Sequence, residues 1–266
     1  MRFKYVICLL PLALFSCKKG KDRYPGTLIG GHACAGLHVS GSNYHDNSLE
    51  AYRYARSFEE IRLVEIDVQL SKDGTFWLFH DPELDKESTG TGTVPQSTDG
   101  YLSGLKYRSL EKEKLIRLQD LPADLKGAVL LMDLKESDGT ASGLIDSARM
   151  FQALIDAKNY FTNGNLCLVT NTGRFVSSIK QTGYGIFLNA YNATHFLNDE
   201  QVYLMDGGVF RSSDLGEADV AAVKKTGKQV ILYDVRSPKG IRAALKKGPD
   251  YLLTDDIKAT FIEKYK

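Results

Sequence analysis

Glu65 and Asp67 stand two apart in the apolar, β-branched run Val64-Glu65-Ile66-Asp67-Val68. On a strand, positions i and i+2 share a face. Both carboxylates therefore project side by side from a segment whose composition belongs in a core. Packed together away from water they repel, and one is driven to take up a proton. A divalent cation removes that conflict, and hard cations take oxygen ligands. The spacing reads as half of a metal site, against the plainer reading of a strand with one face in water. Asp133 closes another apolar run, Val129-Leu130-Leu131-Met132-Asp133, with Lys135 two residues on. His32 follows the first strand-like run, and His80 ends the run that returns after the Asp73-Gly74 turn. Three carboxylates for a cation, two histidines and a lysine suit displacement at a phosphodiester. The cation and Lys135 stabilise charge on the phosphoryl oxygens. One histidine takes a proton from the nucleophile, and the other gives one to the leaving alcohol.

These groups come from distant parts of the chain, so the fold must bring them to one rim. Strand-like runs at residues 27–30, 63–70, 129–134, 166–169, 185–188, 201–204, 229–232 and 250–253 alternate with helix-like segments. The latter cover 48–58 (with Asn47 as N-cap), 118–125, 141–158, 172–181, 213–225 and 239–246. Such alternation predicts a parallel sheet, and eight units predict an α/β fold of the TIM (β/α)₈ barrel type. An extra antiparallel hairpin strand, 75–79, follows strand 2 at the Asp73-Gly74 turn. Residues 86–103, rich in Ser, Thr and Gly, read as a loop, and the stretch from Arg211 to Gly216 as a polar one. An open doubly wound sheet is the runner-up, but the first β-α junction lacks its glycine-rich fingerprint. In a barrel the active site lies at the C-terminal strand ends, where all six groups fall.

The chain has 266 residues and a formal net charge of +1, which gives no electrostatic argument for nucleic acid. Arg2 and Lys4 precede an apolar run that ends at Leu14-Phe15-Ser16-Cys17. A basic start, a short apolar centre and a small residue before the cut outline a signal peptide, and the final four residues resemble a bacterial lipobox. The expected organisation is a lipoprotein signal peptide over 1–17, lipidated at Cys17, a solvated tether over 18–25 and a barrel domain over 26–266. The protein is then exported and held at the membrane of the cell envelope by its lipid; a secreted or periplasmic protein is the alternative. Cys34 and Cys167 are too few for a disulfide framework, and a single bridge between them stays open. Cys34 beside His32 reads as a small buried residue rather than half a zinc site.

In order along the chain, Gly31-His32-Ala33-Cys34, Asp46-Asn47-Ser48-Leu49-Glu50-Ala51, Glu65-Ile66-Asp67-Val68 with Lys72-Asp73-Gly74, His80-Asp81-Pro82 and Asp133-Leu134-Lys135 resemble the motifs of the glycerophosphodiester phosphodiesterase family. Gly248-Pro249-Asp250 and Thr254-Asp255 resemble its closing segment. The resemblance runs from about Leu28 to Lys258. It implies a metal-dependent hydrolase that splits a small glycerophosphodiester to glycerol 3-phosphate and an alcohol. It implies His32 and His80 as the acid/base pair and Lys135 on the phosphate. It implies one calcium or magnesium ion on Glu65, Asp67 and Asp133. Ala33 departs from the family by standing where an arginine touches phosphate, and Asp46 and Asp133 replace glutamates. Tyr233-Asp234-Val235-Arg236 stands where many members have Trp-Thr-Val-Asn; Arg236 is read as solvated, with replacement of the charge missing at Ala33 as the alternative. His38, His45 and His195 match no motif and read as loop or surface residues. Two rivals remain: a phospholipase C- or D-like barrel acting on intact lipids, and a barrel that binds phosphodiesters without turnover.

Overall fold

The computed structural model describes residues 20–36, 43–199 and 201–266. Eight parallel strands close a ring: β1 (Leu28–Gly31), β2 (Ile61–Leu70), β4 (Val129–Lys135), β5 (Asn165–Thr170), β6 (Gly185–Asn189), β7 (Gly207–Arg211), β8 (Gln229–Tyr233) and β9 (Tyr251–Thr254). β1 pairs with both β2 and β9, which closes the barrel. β3 (Phe76–Leu78) lies outside the ring, antiparallel to the end of β2. The helices are α1 (Leu49–Arg56), α2 (Leu84–Glu87), α3 (Asp99–Leu102), α4 (Ser147–Tyr160), α5 (Val176–Lys180), α6 (Ala193–Leu197), α7 (Glu217–Lys225), α8 (Pro238–Lys246) and α9 (Ile257–Tyr265). The barrel with its extra hairpin strand is the expected fold.

The strand period of two builds the site floor. Leu63, Leu131, Val169, Phe187, Val209, Ile231 and Leu253, one from each strand but β1, form a buried cluster inside the ring. On β1 the corresponding place falls to Gly30, where a Cβ would lie 2.8 Å from Leu253 and 2.9 Å from Leu63 side-chain atoms, so a larger residue would push these leucines aside. Two residues beyond each of these interior positions come Glu65, Asp133, Asn171, Asn189, Arg211, Tyr233, Asp255 and His32. Because alternate residues face the same side, the apolar plug is capped by a polar layer at the C-terminal ends. A larger apolar layer between strands and helices, including Ile66, Val68, Met132, Leu134, Met150 and Ile241, holds the ring from outside.

Several local expectations need correction. The strand expected at 201–204 is a 3₁₀ turn, Val202–Leu204, and the strand is the next segment, β7. At its Gly207-Gly208 start a Cβ on Gly207 would meet the Gln229 carbonyl oxygen at 2.2 Å. Here glycine marks close backbone approach, not a turn. The expected loop 86–103 contains one-turn helices, and Leu84, Val94, Leu102, Leu105, Tyr107 and Leu115 bury Trp77 and Phe79 in a separate small core. Arg211 ends β7 instead of opening a loop. Helices α4 and α5 begin later than expected, and the expected element at 118–125 is only the 3₁₀ turn Leu118–Asp120. Ser48, not Asn47, caps α1 by accepting from the Ala51 N–H.

The signal run, Cys17 and His38 lie outside the described residues. The last part of the expected tether touches the barrel. Asp22 pairs with Lys264 at 3.1 Å, the Arg23 N–H donates to the Lys264 carbonyl, and Tyr24 packs on the core. Cys34 and Cys167 are both free thiols. Among the described residues no helix is long and apolar enough to cross a membrane.

Candidate active site

Register brings the carboxylates together. Asp67 on β2 is the Cα partner of Asp133 on β4, and Glu65 lies one interior step below Asp67. Ligand oxygens of Glu65, Asp67 and Asp133 all lie within 4.8 Å of one another. Each is separately held. Glu65 Oε2 accepts from the Ala33 N–H at 2.6 Å. Asn47 grips Asp67 twice, with Nδ2 donating to Oδ2 at 2.8 Å and Oδ1 accepting from the Asp67 N–H at 2.9 Å. Lys135 Nζ sits 2.7 Å from both Asp67 Oδ1 and Asp133 Oδ2.

The triad behaves as a group short of positive charge. Burial first, then the charge of Asp67, pushes Glu65 up to about 8. Asp67 is buried too, but Lys135 and His80 hold it below the usual carboxylate range. Lys135 in turn is raised, since Asp67 and Asp133 outweigh its burial. Asp133 Oδ1 is buried with no hydrogen-bond partner. Three convergent carboxylates, one with an orphaned oxygen and one raised by burial and a neighbouring charge, fit a hard divalent cation.

The histidines flank this group. His32 Nδ1 lies 2.7 Å from Asp255 Oδ1, and its ring is 5.7 Å from that of Tyr233. Burial opposes charge on His32. The Asp255 hydrogen bond and the Glu65, Asp255 and Asp67 carboxylates overcome it and raise His32 to about 9. His80 Nδ1 lies 2.9 Å from Asp81 Oδ1. His80 is the more open of the two, its side chain 42 % exposed against 16 % for His32. The six residues expected at the site therefore all line one cavity of about 500 Å³.

Other lining residues read differently in the sequence, Arg236 as solvated with a replacement charge as the alternative and Arg211 as the start of a polar loop. Arg211 and Arg236 enter from the ends of β7 and β8 and share Asp234, at 2.5 Å and 3.1 Å. Asp234 holds φ +62°, an unusual conformation for a non-glycine residue. Arg236 also reaches Asp255 at 3.6 Å, so it belongs to the cavity and not only to solvent. Glu87, from the expected loop, lines the opposite wall; burial and the nearby Asp46 and Asp81 raise it to about 7. Arg211 stood one step past an interior valine, and that period was legible only once β7 was placed. His45, expected at the surface, is stacked on Tyr107 with ring centroids 3.9 Å apart. His195 is exposed on α6.

Comparison with known proteins agrees with this geometry. The sequence pattern of the glycerophosphoryl diester phosphodiesterase family matches residues 39–141. No curated protein matches the chain. Among solved structures, a phosphodiesterase from Oleispira antarctica, in complex with the product sn-glycerol-3-phosphate, superimposes with a TM-score of 0.73 at 20% identity, over 89% of this chain and 96% of that one. A glycerophosphodiester phosphodiesterase from Parabacteroides distasonis gives 0.68 at 17%, over 92% and 98%. One from Agrobacterium tumefaciens gives 0.65 at 16%, over 89% and 98%. The chain is thus similar to glycerophosphoryl diester phosphodiesterases in sequence over residues 39–141 and in fold over most of its length.

Proposed function

We propose that this protein hydrolyses glycerophosphodiesters to glycerol 3-phosphate and an alcohol, with one calcium or magnesium ion held by Glu65, Asp67 and Asp133. The observation that carries this reading is the convergence of three carboxylates, two carboxylate-backed histidines and a lysine on one cavity. The bound cation supplies charge stabilisation to the phosphoryl oxygens. Lys135 adds a positive charge beside it, and Arg211 and Arg236 add two more from the opposite wall, where Ala33 offers none. Asp255 favours the imidazolium form of His32, which makes His32 the proton donor to the departing oxygen. Asp81 occupies Nδ1 of His80 and leaves Nε2 to take the proton of the attacking group.

A second cavity of about 510 Å³ shares His80, Lys135 and Asn171 with the first and continues between Pro82, Pro95 and Ala141. It gives the alcohol portion a place beyond the scissile bond. The apolar start that ends at Cys17 supports a lipid-anchored location in the cell envelope. Cys17→Ser then abolishes lipid labelling, and unchanged labelling excludes the anchor.

The test of the mechanism is turnover in His32→Ala and His80→Ala. Positioned proton transfer contributes about 10² to 10⁴ in rate, so each variant loses about that factor while still binding the cation. Wild-type turnover in both excludes these roles.

A further inference from the structure

We propose that His45, Asp46 and Glu87 form a second cation site beside the catalytic cavity, suited to a transition-metal ion such as zinc. Ligand atoms of the three lie within 4.8 Å of one another. Asp46 is 6% exposed; its Oδ1 is engaged by His45, and its Oδ2 has no hydrogen-bond partner. Glu87 Oε2 is likewise buried without one. His45 Nδ1 faces Asp46 Oδ1 at 2.5 Å. Buried carboxylate oxygens without partners are costly, and a cation between them and the imidazole removes that cost.

The imidazole is held for the purpose. Its ring stacks on Tyr107, whose hydroxyl donates to the Leu78 carbonyl, and the His45 N–H donates to Glu113. A neighbouring grouping of His80, Asp81 and Glu87 is equally tight. There, however, Asp81 carries no buried unpartnered oxygen, whereas Asp46 does, so the orphaned oxygen lies on the His45 side. A nitrogen among two carboxylates favours a transition metal over the oxygen-only preference of calcium. Three protein ligands leave a fourth position for water. Such an ion ties the segment before α1, which carries Asn47, to α2 in the opposite wall.

The test uses the full chain titrated with zinc, and crystals soaked in zinc and read by anomalous scattering. Expected are two equivalents in the wild type, with one anomalous peak at roughly 2.0–2.2 Å from His45, Asp46 and Glu87 atoms. Glu87→Gln and His45→Ala each lose one equivalent, while Asp133→Asn loses only the other. Zinc density at the Glu65 triad alone, with none at His45, Asp46 and Glu87, overturns the proposal even if the variants fail to fold. Loss of an equivalent in Glu87→Gln but none in Asp133→Asn keeps this site and instead removes the triad on which the proposed activity rests.

Discussion

Asn47 and Asp67 form a reciprocal pair: the Asn47 amide donates to the Asp67 carboxylate at 2.8 Å and accepts from the Asp67 backbone at 2.9 Å. The residue that reads as a helix cap is spent on orienting a carboxylate of the proposed cation site, and the cap falls to Ser48. Asn47 reaches this position with φ +55°, a region asparagine tolerates better than most residues.

Asn47→Ala removes both bonds. Supports of this kind typically contribute 10- to 100-fold in metal affinity, and an orphaned buried partner costs about 1–3 kcal/mol. Calcium or magnesium affinity falls by that factor, measured by calorimetry. Asn47→Gly relieves the backbone and recovers part of the stability but none of the affinity. Full affinity in either variant removes Asn47 from the site.

Glu65 stands at about 8 without a cation, so near pH 7 it carries a proton that an incoming cation must displace. Cation affinity therefore rises up to about tenfold per pH unit and levels above pH 8. Calorimetry in buffers of different ionisation enthalpy shows about one proton released per ion at pH 7. Glu65→Gln binds weakly at every pH and releases none. A wild type that releases no proton contradicts the charge balance described for the triad.

His32 is raised from 6.5 to about 9 in the folded protein. Its contribution to stability is fully present below pH 6.5 and is lost as pH rises through 9. Asp255→Asn removes the hydrogen-bonded carboxylate and shifts that loss to lower pH. The alkaline limb of the rate profile moves the same way, because His32 gives up its proton sooner. An unchanged limb in Asp255→Asn assigns the donor elsewhere.

Much of the site was legible because strand chemistry has a period of two. Glu65 with Asp67, and Asp133 with Lys135, declared themselves as charges in apolar runs, and the structure places them on one face. Legibility failed where a residue's partner was distant. Asn47 looked like a cap because its bond to Asp67 crosses two elements. β7 was displaced because Gly207 pairs closely with Gln229, a demand invisible in local composition. His45 and Glu87 lie in segments that read as polar loops, and only the small core around Trp77 and Tyr107 explains their burial. Asp255 was seen as part of a closing motif, but its hold on His32 depends on β1 meeting β9.

The most direct test of the proposed activity is release of glycerol 3-phosphate from a panel of glycerophosphodiesters, assayed as purified, after chelation, and after return of calcium or magnesium. Glycerol 3-phosphate appears with at least one diester, disappears on chelation and returns with the ion. Full release from metal-free protein contradicts the role given to Glu65, Asp67 and Asp133, and binding of the diesters with no release under any condition contradicts the activity itself.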